Sequence, residues 1–216
     1  MYKGIIFDLD GTLLDTTEGV VNAVERTLFQ LELIKPDNLN LEQFVGPPMQ
    51  DSFQRYFGMD KEEALKAANI FRDNYKKKSL FMAKVYDDVF NLLELLKNEN
   101  YKIAIATNKS HENAIEILKQ FRILEYCDYA AGSDLDGKLK KSDIINICIE
   151  QLKVRSDELL YIGDSSYDLK GAKQSGLDFL GVTYGFGFGK TESIDNDECI
   201  AVCDSVMEII DFLKLS

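Results

Sequence analysis

Apolar positions change period twice along the chain. Residues 3–8, KGIIFD, form a short apolar run with paired isoleucines, the pattern of a strand buried on both faces of a parallel sheet. From Asp15 the period lengthens. In DTTEGVVNAVERTLFQLEL the residues Val20, Val24, Leu28 and Leu31 recur at helical spacing, and Asp15 with Glu18 three positions on predicts a capping-box start. KPDNLN breaks that helix. A short helix, a Gly-Pro-Pro loop at 46–48, a helix through MQDSFQRYF and a long one through DKEEALKAANIFRDNYKKKSL follow, so residues 16–82 read as all-helical.

After Tyr86 helices and strands alternate. DDVFNLLELLKNEN reads as helix, KIAIAT as strand, SHENAIEILKQF as helix and CDYAA as a short strand. Then come KSDIINICIEQL as helix, LLYIGD as strand, YDLKGAKQSG as a helix ending on Gly176, DFLGVT and IAVC as strands, and SVMEIIDFL as a closing helix. Such alternation predicts a parallel sheet covered on both faces. The first strand stands alone ahead of the helical block. The expected organisation is therefore one α/β core, residues 1–15 and 83–216, with an all-α segment, 16–82, inserted after strand one.

Composition narrows the function. The chain has 216 residues, 45% hydrophobic and 29% charged, as in an ordinary globular protein. No apolar run approaches the ~20 residues that span a bilayer, and no basic-then-apolar leader precedes the first strand, so no membrane partner and a cytoplasmic location are the expectations. A net charge of −12 argues against binding a nucleic acid polymer, which needs a basic face, but not against a small anion held by local cations or a metal. Cys127, Cys148, Cys199 and Cys203 lack metal-ligand spacing and read as reduced thiols. The one histidine, His111, has no G-x-S-x-G elbow ahead of it and reads as a polar residue in the first turn of a helix. A monomer is the default.

In an open α/β sheet, ligands bind beyond the carboxyl ends of the strands. Here the first strand runs into Asp8, Leu9, Asp10, Gly11 and Thr12; KIAIA into Thr107, Asn108 and Lys109; and LLYIG into Asp164, with Asp168 four residues on. Brought together, Asp8, Asp10 and Asp164 make a hard oxygen cluster suited to Mg²⁺, which commonly brings a phosphate with it. Thr107 and Asn108, ahead of a helix start, offer a hydroxyl and backbone N–H groups to an anion. A lysine of GKLKKSD would balance the charge.

Four stretches, DLDGTLLDT, ATNKS, the lysine of KKSD and GDSSYD, occur in that order and together resemble the signature motifs of the haloacid dehalogenase-like hydrolases. The resemblance implies a Rossmann-like core with a small inserted helical cap. FVGPP, GSDLDG, KKSDII and GVTYGFG are similar to the phosphoglycolate phosphatase and 5′-nucleotidase-like branch. By resemblance Asp8 is the nucleophile that forms an aspartyl-phosphate, and Asp10 is the general acid and then the base. Gly11 and Thr12 turn the chain sharply beside the site, while Thr107 and the Asn108 amide hold the phosphoryl group. The same resemblance makes a lysine neutralise the phosphoryl oxygens; of Lys138, Lys140 and Lys141 the choice is Lys141, at the start of the next helix. Asp8, the Asp10 carbonyl and Asp164 would ligate Mg²⁺, with Asp168 acting from behind through water or by holding the lysine.

Some readings stay open between chemistry and structure. Gly46 and Pro47 are either a cap loop facing the substrate or a plain helix break. Asp15 reads as a helix cap and Lys76–Lys78 as a solvated helix end. GFGFGKT is not a P-loop, because the required first glycine is Tyr184; it reads as a flexible rim loop whose Phe186 and Phe188 either stack on a ligand or cover apolar surface. The expected function is a Mg²⁺-dependent phosphatase for a small phosphorylated metabolite, either phosphoglycolate or a nucleoside 5′-monophosphate. The alternatives are a sugar phosphomutase and a phospho-acceptor signalling domain. Asp10 and the helical insert weigh against the last.

Overall fold

The computed structural model describes residues 2–134, 138–188, 190, 193–194 and 198–215. Its frame is a six-stranded sheet. In chain order the strands are β1 (Gly4–Phe7), β4 (Lys102–Ser110), β5 (Tyr129–Ser133), β6 (Leu159–Gly163), β7 (Asp178–Val182) and β8 (Ala201–Cys203). Their spatial order is β5-β4-β1-β6-β7-β8, and every pairing is parallel. The sheet order reverses around β1, which is where such sheets open a crevice.

Strand β1 is buried throughout because both faces are covered. Its alternate residues feed two cores. Ile5 and Phe7 join Ile103, Ile105, Leu160 and Ile162 on one face, under α4 (Val89–Asn98), α5 (His111–Gln120) and α8 (Val206–Leu213). Ile6 joins Ala104, Ala106, Leu159 and Tyr161 on the other, under α6 (Lys141–Leu152) and α7 (Ser166–Gln174). The period-2 pleat makes this division. The small residues Ala104 and Ala106 of β4 leave room for the aliphatic side of α6, where Ile144, Ile145 and Cys148 are fully buried.

Between the two short strands β2 (Leu14–Asp15) and β3 (Lys84–Val85) lie α1 (Thr17–Gln30), α2 (Met49–Phe57) and α3 (Lys61–Asn74). β2 and β3 pair antiparallel, so the chain leaves and re-enters the sheet layer side by side. Helix α3 starts on a full capping box. Asp60 accepts from the amides of Glu62 and Glu63 at 2.8 and 2.9 Å, and Glu63 accepts from the Asp60 amide at 3.0 Å. Ala64, Ala67, Ala68 and Phe71 form its buried stripe. A π-helical turn, Tyr75–Ser79, ends the block.

Asp15 departs from the expected cap. The N-cap of α1 is Thr16, with Asp15 one residue earlier in β2, where its carboxylate accepts from the Thr17 amide at 3.0 Å. The Thr16 hydroxyl is used elsewhere, on Asp10. Lys76 is also not purely solvated. Its ammonium reaches Glu112 of α5 at 3.0 Å, tying the helical block to the sheet layer. Among the described residues no helix is long and apolar enough to cross a membrane, and Cys148 and Cys203 are buried thiols.

Candidate active site

The carboxyl ends of β1, β4 and β6 lie side by side, and their polar residues meet there. The Asp8 amide continues the ladder by donating to the Ile162 carbonyl at 2.9 Å, which anchors the residue at the strand's last rung. The chain then turns back through Leu9–Leu14, with Gly11 at φ +89°. A side chain at Gly11 would also meet the Asp164 carboxylate at 2.2 Å, so glycine is needed on both counts.

Asp8, Asp10, Asp164 and Asp168 are all buried, as are Lys141 and Thr107. Lys141, the first residue of α6, donates to Asp8 Oδ1 at 2.6 Å and lies 2.8 Å from Asp168 Oδ1. Lys140 is exposed one position earlier, and Lys138 is exposed as well. Asp168 is fully engaged. Besides Lys141, its Oδ1 lies 3.1 Å from the Tyr161 hydroxyl, and its Oδ2 accepts from the Ser165 amide at 3.1 Å and hydroxyl at 2.5 Å. It thereby holds the same Lys141 ammonium group that bonds Asp8.

Asp164 is held differently. Its Oδ2 accepts from the backbone amides of Phe186 at 2.6 Å and Gly187 at 3.1 Å, while the Phe188 amide donates to its carbonyl at 2.7 Å. Its Oδ1 is buried with no hydrogen-bond partner among the described residues. This corrects the reading of 185–188 as a flexible rim loop: it is a buried clamp around Asp164. Phe188 is buried against Phe179, and Phe186 is buried too, so the pair covers apolar surface. Gly189 and Thr191 of the same run, and Leu135–Gly137 of GSDLDG, lie outside the described residues.

The charge balance is unusual for an interior. Asp8, Asp164 and Asp168 offer oxygens that all lie within 4.8 Å of one another. Counting Asp10, four carboxylates face two ammonium groups among the described residues, those of Lys141 and Lys109. Burial pushes Asp8 up to about 7, with Asp168 and Asp10 adding to the rise and Lys141 opposing it. Burial, then Asp168 and Asp8, raise Asp164 well above the ordinary carboxylate range against the pull of the Phe186 and Gly187 amides. Burial pulls Lys141 down, but Asp168 and Asp8 outweigh it and hold it firmly protonated. Excess buried negative charge, hard oxygen donors and an unpartnered Asp164 Oδ1 fit a small divalent cation. The Asp10 side chain is not part of that cluster, so only its carbonyl is left for such an ion, as the motif implies.

Beside the carboxylates opens a cavity of about 390 Å³ between the sheet edge and the helical block. Asp10, Asn108 and Lys141 line its sheet side, and Gly46 and Pro47 line its helical side. Thr107 is buried beside the cavity-lining Asn108 and does not itself line the cavity; its hydroxyl accepts from the Lys109 amide at 3.2 Å. The β4–β5 register shifts between Thr107 and Ser110, a local irregularity of the kind that re-aims side chains at a sheet rim.

This arrangement, with a carboxylate at the first strand end bonded to a lysine that a third carboxylate holds, agrees with a family match over residues 5–182 to the haloacid dehalogenase-like hydrolases. The chain belongs to that family. It is 35% identical to a 5′-nucleotidase of Pseudomonas aeruginosa over 86% of this chain and 85% of the relative. It is also 32% identical to the tyrosine-protein kinase PtkA of Mycobacterium tuberculosis, over 92% and 67%. A crystal structure of a predicted phosphatase from Clostridium acetobutylicum superposes over 100% of both chains with a TM-score of 0.92 at 39% identity. The chain is accordingly a phosphatase of the haloacid dehalogenase-like type with a Rossmann-like sheet.

Four participants escaped the sequence reading. Lys109 stood in the quoted ATNKS run without a role. Thr16 and Tyr161 were hydroxyls inside a helix start and a strand, and Tyr75 carried no signal at all. Tyr75 is buried, the Lys109 side chain is nearly enclosed, and the two meet only through the fold.

Proposed function

We propose that the protein is a Mg²⁺-dependent phosphomonoesterase that works through an aspartyl-phosphate on Asp8. The observation that carries this reading is the Asp8–Lys141–Asp168 chain at the end of β1, with Asp10 and Lys141 both lining one cavity. Asp8, Asp164 and the Asp10 carbonyl would hold the cation, and a bound Mg²⁺ supplies charge neutralisation to the phosphoryl oxygens.

The chain's own residues do the rest. Lys141 orients the Asp8 carboxylate, and its charge screens the phosphoryl oxygens as Asp8 attacks phosphorus. Asp10 gives a proton to the leaving oxygen, then takes one from the water that attacks the aspartyl-phosphate. The Thr107 hydroxyl and the Asn108 amide bind the phosphoryl oxygens. The Gly46–Pro48 loop, on the cavity's far wall, faces the leaving group. The cavity's volume suits a small metabolite, and the likeness to a 5′-nucleotidase supports a nucleoside 5′-monophosphate, with phosphoglycolate as the other candidate.

The test is phosphate release from nucleoside 5′-monophosphates, phosphoglycolate and hexose phosphates, with Mg²⁺, with chelator and with Asp8→Asn. Release that needs both the metal and Asp8 is the expected result. Absence of release from every ester, while acetyl phosphate still labels Asp8 stably, overturns the reading in favour of a phospho-acceptor.

A further inference from the structure

Lys109 has no part in the reaction just described, yet its side chain is nearly enclosed and it lines the same cavity as Asp10. Its ammonium lies 3.1 Å from Asp10 Oδ1, donates to the Tyr75 hydroxyl at 3.0 Å and sits 4.4 Å from the centre of the Tyr75 ring. Burial pulls its charge down, but Asp10 and Tyr75 outweigh that and keep it protonated. Tyr75 itself is buried in the π-helical turn that ends the helical block, so this contact joins the sheet edge to the insert.

The second donor on Asp10 is the Thr16 hydroxyl, at 2.6 Å, and it binds the same oxygen, Oδ1. Two donors on one oxygen fix the carboxyl plane and leave Oδ2 as the oxygen free of both. Asp10 lines the cavity in which a leaving group would sit. A lysine fastened at its far side by an aromatic hydroxyl and a ring face has little freedom to release the carboxylate.

We propose that Lys109 is a positioning residue: seated on Tyr75 of the helical insert, it holds Asp10 Oδ1 so that Oδ2 serves as the proton donor to the leaving oxygen. The proposal rests on the phosphatase reading above. In the step concerned, the P–O bond to the leaving group breaks with its electron pair going to that oxygen, the Asp10 proton moves onto the same oxygen, and Asp10 is left as a carboxylate whose charge Lys109 and Thr16 stabilise. Because Tyr75 comes from the insert, Asp10 is correctly held only when the insert is seated against the sheet edge.

The test uses leaving groups that differ in their need for a proton. Single-turnover release is measured with an alkyl phosphate and with p-nitrophenyl phosphate, whose nitrophenolate leaves unprotonated. The proteins are the wild type, Lys109→Met, Lys109→Arg and Tyr75→Phe, each checked by thermal melting. Lys109→Met is expected to slow alkyl release about 10²-fold, the usual scale of general acid catalysis, and nitrophenolate release by less than about threefold. Lys109→Arg should recover most of the loss, and Tyr75→Phe should show the same selectivity in a milder form. Equal slowing with both esters in Lys109→Met and Tyr75→Phe would mean a structural role only and overturn the proposal, as would no slowing. Should Lys109→Met fail to fold, the Tyr75→Phe ratio decides alone. A wild type that releases neither leaving group sinks the phosphatase reading itself, an outcome separate from any effect of Lys109.

Discussion

Metal-free protein should lose stability as pH rises through neutrality, and Mg²⁺ should restore it. Asp8 is raised from the ordinary 3.8 to about 7, first by burial. A carboxyl whose folded value lies above its unfolded value favours the neutral form in the fold. Its contribution is complete below the unfolded value and is lost as pH rises through the folded one. The window from 3.8 to about 7 is worth about 4 kcal/mol at ~1.4 kcal/mol per pH unit. Between about pH 5 and about pH 8, metal-free wild type should therefore lose about 3 kcal/mol relative to Asp8→Asn, which cannot ionise there. Asp164, raised for the same first cause, adds in the same direction. A bound divalent cation compensates the buried negative charge, so the Mg²⁺-induced gain in stability should be small near pH 5 and several kcal/mol near pH 8. Urea melts of both proteins at both pH values, with Mg²⁺ and with chelator, measure this. An equal Mg²⁺ increment at the two pH values, or the same pH dependence in Asp8→Asn, would refute the argument that uncompensated buried carboxylate charge is what the metal relieves.

Other perturbations test separate parts of the argument. Asp10→Asn should leave phosphorylation of Asp8 by acetyl phosphate intact but slow release of phosphate by about 10²-fold or more, so that labelled protein accumulates in a quench experiment. Gly185→Ala should weaken Mg²⁺ binding and cost about 1–3 kcal/mol in denaturant melts, because its Cβ would lie 2.3 Å from Asp164 Oδ2 and 2.4 Å from the Gly11 carbonyl. Ile145→Ala, on the fully buried side of α6, should cost about 2–5 kcal/mol by the same measurement.

Much of this protein was legible in order along the chain. A parallel sheet needs strands that are apolar on both faces, so GIIF, KIAIA and LLYIG announced themselves, and the long helical interruption after the first strand was visible as a change of period. Parallel strands also end on a common edge, so Asp8, Thr107 and Asp164 were readable as neighbours although they are far apart in sequence. Boundaries and caps were less secure. Asp15 and Thr16 both suit a helix start; the helix begins after Thr16, whose hydroxyl goes to Asp10, while Asp15 accepts from the Thr17 amide.

What the tertiary structure alone decided is which side chains close the site. The sequence set Lys141 ahead of Lys138 and Lys140 only by its position at a helix start, which says nothing of what it touches. The register of α6 buries Lys141 against Asp8 and leaves Lys140 exposed. The clamp on Asp164 is made by backbone amides of Phe186 and Gly187, which carry no side-chain signature. The Lys109–Tyr75 contact joins residues 34 apart, from a strand end and a helical turn whose separate patterns give no hint of one another. Hydrophobic period is a local property and survives in the sequence. Convergence of polar groups depends on how elements cross, and only the packed chain sets that.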